Sequence, residues 1–174
     1  MIRYIASAGL AAALLSGTAV AAEPTDVLKT YSDIAHASYE DALTGAKALD
    51  EAVDAFLAAP SEASLADARS AWLAARPWYQ QTEAFRFGNP IVDEFEGKVN
   101  AWPLDENYVD YVEGMPTAGI INDPSKVLSK QLLADANMDG KEGFVSTGYH
   151  AIEFLLWGQD FSDTGPGARP FTDY

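Results

Sequence analysis

The stretch TGYHAIEFLLWGQD, residues 147–160, places a histidine and a glutamate three residues apart within an otherwise apolar segment. Side chains at this spacing share one face of a helix, so the imidazole of His150 and the carboxylate of Glu153 can point at one spot. Bundle proteins build metal sites from a Glu and a His at this spacing, with further carboxylates from facing helices. A hydrogen-bonded polar pair within a core uses the same spacing, so the residues leave both interpretations open.

Two other polar pairs have a spacing that could serve a site. Glu83 and Arg86 lie three residues apart among phenylalanines, where an intrahelical salt bridge is the simpler interpretation, although the aromatic neighbours indicate a face that is not fully exposed. His36 and Glu40 lie on the polar side of their predicted helix, which favours a solvated face. Gly148, just before Tyr149, would let another backbone or a ligand approach closely.

The segment DANMDGKEGFVS, residues 135–146, partly matches a calcium-binding loop, with oxygen-bearing side chains at positions one, three and five and glycine at position six. Position twelve should be a bidentate glutamate but is Ser146, and position eight should be apolar but is Glu142. These mismatches favour a polar turn between helices. The usual hydrolase, phosphate-loop and dinucleotide-binding motifs do not occur in the sequence.

The elements that would carry these residues are helices, because apolar residues recur at steps of three and four and no strand alternation is evident. The predicted fold is an all-α, up-and-down helical bundle with a long irregular insertion. Helices are predicted over residues 25–59, 64–85 and 147–157, and a further helix is predicted to start at Asp123. Residues 88–123 are predicted to be mostly irregular, with one short helix in DENYVDYV.

Local signals refine these helix boundaries. Ser64 and Asp67 form a capping-box-like start for the second helix, and Pro77 is expected to kink it. The Asp123–Pro124 step has the order of a helix cap followed by a first-turn proline, and Gly158 ends the last helix.

Residues 1–22 have the pattern of a secretory signal peptide, with one arginine, an apolar run too short to span a bilayer and a small-residue cleavage region. Cleavage would release a chain without a transmembrane segment into the periplasm or onto the cell surface. Without Arg3, that mature chain holds 10 basic and 26 acidic residues. Nucleic acid is therefore an unsuitable partner and cations are suitable ones. With no cysteine, stability must come from packing or a ligand.

Three segments, YSDIAHASYEDAL, TEAFRFGNPIVDEFEGKVNAWPLDENYVDYV and STGYHAIEFLLWGQD, followed by GPGARPFTDY, together resemble the imelysin family. This family is also called the insulin-cleaving membrane protease or iron-regulated protein family. Its Gly-x-His-x-x-Glu signature is matched by Gly148, His150 and Glu153. The resemblance implies an exported protein of two similar helical bundles with a site where they meet. Residues 23–174 would then be the N-terminal bundle, which agrees with a turn-rich C-terminus that looks cut short.

The resemblance also implies a function and a site. It implies that His150, Glu153 and Glu83 bind a divalent or ferric metal ion, iron or zinc, with Arg86 and Gly148 beside them. The expected role is metal binding in periplasmic iron uptake or iron-regulated metal handling, together with cell-envelope iron-uptake components. The alternative is a metallopeptidase of the imelysin type. A third interpretation is a polar group that only fixes the geometry of the core.

Overall fold

The computed structural model describes residues 22–174. The predicted signal peptide therefore lies outside the described residues, except for its last residue. The described chain forms six α-helices, three short 3-10 turns and no β-strand, which confirms the all-α prediction. None of the helices among these residues has the length and apolar character needed to cross a bilayer. The helices are α1 (Pro24–Ala58), α2 (Glu62–Gln81), α3 (Pro90–Val99), α4 (Glu106–Val109), α5 (Lys130–Ala136) and α6 (Tyr149–Trp157).

The core lies where α1 and α2 pack against each other and α6 packs on α2. α1 buries Ala42, Leu49 and Phe56, whose seven-residue spacing keeps them on one face of the helix. The indole nitrogen of Trp72 in α2 donates to the backbone oxygen of Tyr149 at 3.0 Å, which attaches the start of α6 to the α1–α2 pair. The core cluster comprises Leu49, Phe56, Leu65, Ala68, Trp72, Ala75, Tyr149 and Leu156.

The start of α2 differs from its prediction. The N-cap is Ser61, whose hydroxyl accepts from the backbone N–H of Ser64 at 3.1 Å, while the Ser64 hydroxyl accepts from the Ser61 N–H at 3.0 Å. The two serines thus form the capping box, and Ser64 occupies its N3 position instead of the N-cap position. α2 ends at Gln81 and continues into a 3-10 turn over Thr82–Phe85, with Pro77 inside the helix.

One prediction between α2 and α6 is incomplete and one is wrong. The region predicted to be mostly irregular forms the short helix expected in DENYVDYV, which is α4, but it also contains α3, a ten-residue helix that begins at Pro90 with acidic Asp93 in its first turn. The helix predicted at Asp123 does not start there, because the Asp123 carboxylate accepts from the N–H and hydroxyl of Ser125 in a local turn. α5 starts seven residues later, capped by Ser129.

The segment considered as a calcium loop closes as a polar turn, as preferred from the sequence. The side-chain oxygen of Asn137 accepts from the backbone N–H groups of Ser146 and Thr147, at 3.0 and 3.3 Å. Asp135 accepts from Gln131 within α5. These oxygens therefore hold the chain in a turn that leads directly into α6.

A close contact between backbones fixes the start of α6. Gly148 has a φ of +87°, and a Cβ atom at this position would lie 2.6 Å from the carbonyl carbon of Val99 at the end of α3. The neighbouring Thr147 hydroxyl donates to the backbone oxygen of Lys98 at 2.8 Å. The close backbone approach expected at Gly148 is thus present, and it sets the position of His150 two residues later.

The C-terminal segment is held against the end of α4 by a buried ion pair and against α6 by a backbone hydrogen bond from Arg169 to Trp157. Arg169 donates to Asp110 at 2.6 Å, and their side chains are 3% and 9% exposed. Arg69 in α2 donates to the backbone oxygens of Leu156 and Arg169, at 2.7 and 2.8 Å. These contacts close the chain around one end of α6.

Candidate functional site

His150 and Glu153 lie at the wall of a cleft of about 730 Å³. This volume is in the range of small-molecule sites, which is far more than a bare ion fills. Most of the wall is apolar, and the titratable residues in it are Glu106, His150, Glu153 and Asp160. Three of these four residues are acidic and none is Lys or Arg, so the cleft favours a positively charged ligand.

Both ring nitrogens of His150 have partners. Nδ1 lies 3.0 Å from Oε2 of Glu153, and Nε2 lies 3.4 Å from Nη2 of Arg76 in α2. A guanidinium only donates hydrogen bonds, so Nε2 must accept and the ring proton belongs on Nδ1, facing the glutamate. The ring also packs against Trp102, with centroids 4.9 Å apart. The predicted pair is therefore formed, and Arg76 fixes its tautomer.

The pair has the separation of two neighbouring metal ligands. Two ligand atoms at about 2.1 Å from one ion and at right angles to each other lie about 3 Å apart. Nδ1 and Oε2 have this separation. Within residues 22–174, however, no three His, Cys, Asp or Glu side chains are grouped so that they could hold an ion together. The residues present therefore fit two coordination positions, and the other positions need water, a bound molecule or other protein groups.

Glu83 and Arg86 belong to a second, smaller cavity of about 110 Å³. Glu83 lies in the 3-10 turn after α2, its side chain is 71% exposed, and its carboxylate is 3.3 Å from Arg86. Arg86 makes a shorter ion pair, 2.7 Å, with Glu96 of α3. The structure thus groups the four predicted polar side chains as two pairs and does not add Glu83 to His150 and Glu153.

Arg76 lies between the cleft and the smaller cavity, and it was not predicted from the sequence as a site residue. It contacts His150, which lines the cleft, and it also lines the smaller cavity. Its signal was available, because Arg76 follows Trp72 by four residues and precedes Tyr79 by three, on the apolar stripe of α2. A cationic side chain on the apolar face of a helix is expected to contact a polar partner inside the protein. The partner that it meets could not be read from the sequence.

Glu96 is the centre of the hydrogen-bond network in the smaller cavity. Its carboxylate accepts from the hydroxyl of Tyr79, from Asn100 at 2.7 Å and from Arg86 at 2.7 Å. Burial raises the pKa of Glu96, but the hydrogen bonds from these three residues and the charge of Arg86 outweigh it and lower that pKa below its usual value. Burial and the bond to Glu96 raise the pKa of the Tyr79 hydroxyl.

The Glu96 network should make stability depend on acid pH. Because the pKa is lower in the folded protein than in the unfolded chain, the carboxylate stabilises the fold above the unfolded pKa of about 4.3, and this stabilisation is lost as the pH falls through the folded pKa. We expect Glu96→Gln to lower the free energy of unfolding by about 1 to 2 kcal/mol at pH 7. Urea unfolding between pH 7 and pH 3 measures the difference from the wild type.

The neighbouring exposed Glu94 supplies the matched control, as Glu94→Gln removes the same charge from the same helix. The difference in the free energy of unfolding between Glu96→Gln and the wild type should shrink below about pH 4.3. The free energy of unfolding of Glu94→Gln should stay near that of the wild type at every pH. A difference for Glu96→Gln that is independent of pH would contradict the lowered pKa.

His36 and Glu40 were predicted to lie on a solvated face, and this prediction is confirmed. Their side chains are 3.3 Å apart and are 74% and 68% exposed. The chain therefore contains two His–Glu pairs of similar separation, one at the wall of a cleft and one on an open helix surface.

The sequence also matches known proteins. A family model described as imelysin, under a peptidase heading, matches residues 35–174. Iron-regulated protein A of Synechococcus elongatus is 33% identical over 120 residues, which are 69% of this chain and 28% of that protein. The match thus spans less than a third of the length of this relative.

Proposed function

Since the chain belongs to the imelysin family, we propose that it binds a metal ion, with iron as the first candidate, at the His150–Glu153 pair. The observation that carries the proposal is the 3.0 Å separation of Nδ1 and Oε2 at the wall of an acidic cleft. The name of its relative, iron-regulated protein A, supports iron over other metals. The role proposed is a step in iron uptake or iron-regulated metal handling, with cell-envelope iron-uptake components as partners.

The proposed place of this step is the periplasm or the cell surface. The signal-peptide pattern of residues 1–22 supports export. The surplus of acidic residues supports a cationic cargo, because Glu106 and Asp160 in the cleft wall add to the negative potential around the pair.

His150 and Glu153 would hold the ion through Nδ1 and a carboxylate oxygen. A ligating Nδ1 would carry no proton, so the ring proton would have to lie on Nε2. Nε2 could then no longer accept from Arg76, and two donors would face each other at 3.4 Å. Arg76 would therefore have to turn away from the ring for an ion to bind. The bound ion would supply a positive centre for the oxygen ligands of water or of a carrier molecule.

Peptide hydrolysis is the alternative, and it is supported by the peptidase heading of the family model. A zinc peptidase needs about three protein ligands, an open position for water and a general base. His150 and Glu153 fit two positions, and Glu83 lies in the other cavity. The geometry therefore supports binding better than catalysis.

Thermal melting of the full protein tests the metal site. After removal of metal with a chelator, we expect iron to stabilise the wild type by about 2.7 kcal/mol at one hundred times its dissociation constant, which is roughly 5 to 10 °C in Tm. The double variant His150→Ala, Glu153→Ala should lose this shift. Zinc is measured in parallel, because an imidazole with a carboxylate suits either metal.

The exposed pair provides a matched control. The double variant His36→Ala, Glu40→Ala removes the same two side-chain types at a similar separation, and it should keep the full shift. If the wild type shows no shift, or if both double variants shift equally, the His150–Glu153 pair only fixes the geometry of the fold.

A further inference from the structure

Arg76 is a partly buried cation without an acidic partner among the residues that the structure describes. Its Nη2 contacts His150, and its guanidinium lies over the rings of Tyr149 and Tyr79, 5.2 and 5.9 Å from their centroids. Its Nη1 is buried and meets no hydrogen-bond acceptor in residues 22–174. A partly buried cation with a buried, unpaired N–H group is unfavourable, although acidic residues outnumber basic ones 26 to 11 in this chain. An anion is therefore the missing partner.

The cavity of about 110 Å³ that Arg76 lines contains a second unpaired atom. Oδ1 of Asn100 is buried and receives no hydrogen bond from the described chain. Its orientation is fixed, because Nδ2 of the same amide donates to the Glu96 carboxylate and the oxygen must point the other way. One cavity thus has a free donor on Arg76 and a free acceptor on Asn100.

We propose that this cavity binds a small oxyanion that retains a hydroxyl group, such as bicarbonate or hydrogen phosphate. Its charged oxygen would accept from Nη1 of Arg76, and its hydroxyl would donate to Oδ1 of Asn100. At about 30 Å³ per water, the volume of about 110 Å³ equals three or four waters, which suits an ion of this size.

Arg86, the second arginine in this cavity, does not need the anion as a counter-charge. Arg86 is already neutralised by Glu96 at 2.7 Å and contacts Glu83 at 3.3 Å. The charge that the anion would balance is therefore that of Arg76. Bicarbonate and hydrogen phosphate share the required groups, whereas sulfate has the charge but no hydroxyl at neutral pH.

Isothermal titration of the full, metal-stripped protein tests this site independently of the metal proposal. We expect saturable binding of one bicarbonate or hydrogen phosphate per chain at constant ionic strength, and binding of sulfate at least about tenfold weaker. Whichever of the first two binds more tightly identifies the oxyanion. Absence of saturable binding, or sulfate binding as tight as that of the others, would overturn the proposal, and this comparison needs no variant.

Three variants locate the site. Arg76→Gln should weaken binding by about tenfold or more, and Asn100→Ala should remove the preference over sulfate. Lys29→Gln removes one positive charge from the exposed face of α1 and should leave binding unchanged. Equal effects of Arg76→Gln and Lys29→Gln would mean that the anion responds only to net charge, which would refute a specific site.

Discussion

Replacing Gly148 with alanine is expected to lower the free energy of unfolding by about 3 kcal/mol or more. The backbone of Gly148, with φ of +87° and ψ of −175°, lies in a region essentially restricted to glycine and costs an L-residue about 1 to 3 kcal/mol. The new methyl group would also lie 2.6 Å from the carbonyl carbon of Val99. Because the atoms that it meets are all backbone atoms, a side-chain rotation cannot relieve the contact. Overpacking of this kind adds about 1 to 3 kcal/mol. Urea unfolding followed by circular dichroism measures the total.

A substitution at Gly140 distinguishes the cost of the backbone conformation from the cost of the steric contact. Its φ is +75°, but nothing lies within 4 Å of a Cβ atom built there. Gly140→Ala should therefore show only the backbone term, about 1 to 2 kcal/mol. Equal losses in the two variants would mean that the contact between α3 and the start of α6 is looser than the structure shows.

The second large effect is expected for Arg169→Met, which leaves Asp110 buried without its cation. Removing one member of a buried ion pair costs about 3 to 5 kcal/mol, because the remaining charge cannot return to water. For a chain of this length the Tm should fall by roughly 10 °C. The backbone contact from Arg69 to residue 169 remains in the variant, so the loss can be assigned to the side chain.

Two comparisons check that assignment. Lys29→Met breaks an ion pair with Asp33 whose side chains are 73% and 63% exposed, and it should cost at most about 1 kcal/mol. Adding Asp110→Asn to Arg169→Met removes the unpaired charge and should restore part of the stability. If the double variant is no more stable than Arg169→Met alone, the cost comes from lost packing of the arginine and not from the charge.

Helices with an unambiguous stop signal could be predicted from the sequence regardless of their length. α1 and α6 were placed within two residues of their observed bounds, because a repeated apolar face and a glycine stop define them. α3 was missed although Ile91, Phe95 and Val99 recur at steps of four, because Pro90 was interpreted as the start of an irregular segment and not as a first-turn proline. Asp123 shows a further limit, since its carboxylate bonds its own loop as readily as it would cap a helix.

The same division applies to the site. The His150–Glu153 pair was predictable, because both residues lie in one helix and their distance follows from their spacing. The contact of Arg76 with His150 joins two helices across 74 residues and depends on how α6 packs on α2. The separation of Glu83 from the pair has the same origin, because local spacing carries no information about which cavity a turn faces.

Arg76 lies between the ring of His150 and the smaller cavity, so both proposed ligands depend on its rotamer. Its Nη2 contacts the ring while Nη1 is free, so an oxyanion at Nη1 would hold the observed rotamer. An ion at Nδ1 of His150 would instead require Arg76 to leave Nε2. The two proposed ligands would therefore favour different rotamers, and thermodynamic reciprocity then requires that each lower the affinity for the other by the same factor. The chain would then release its metal more readily where the anion is abundant.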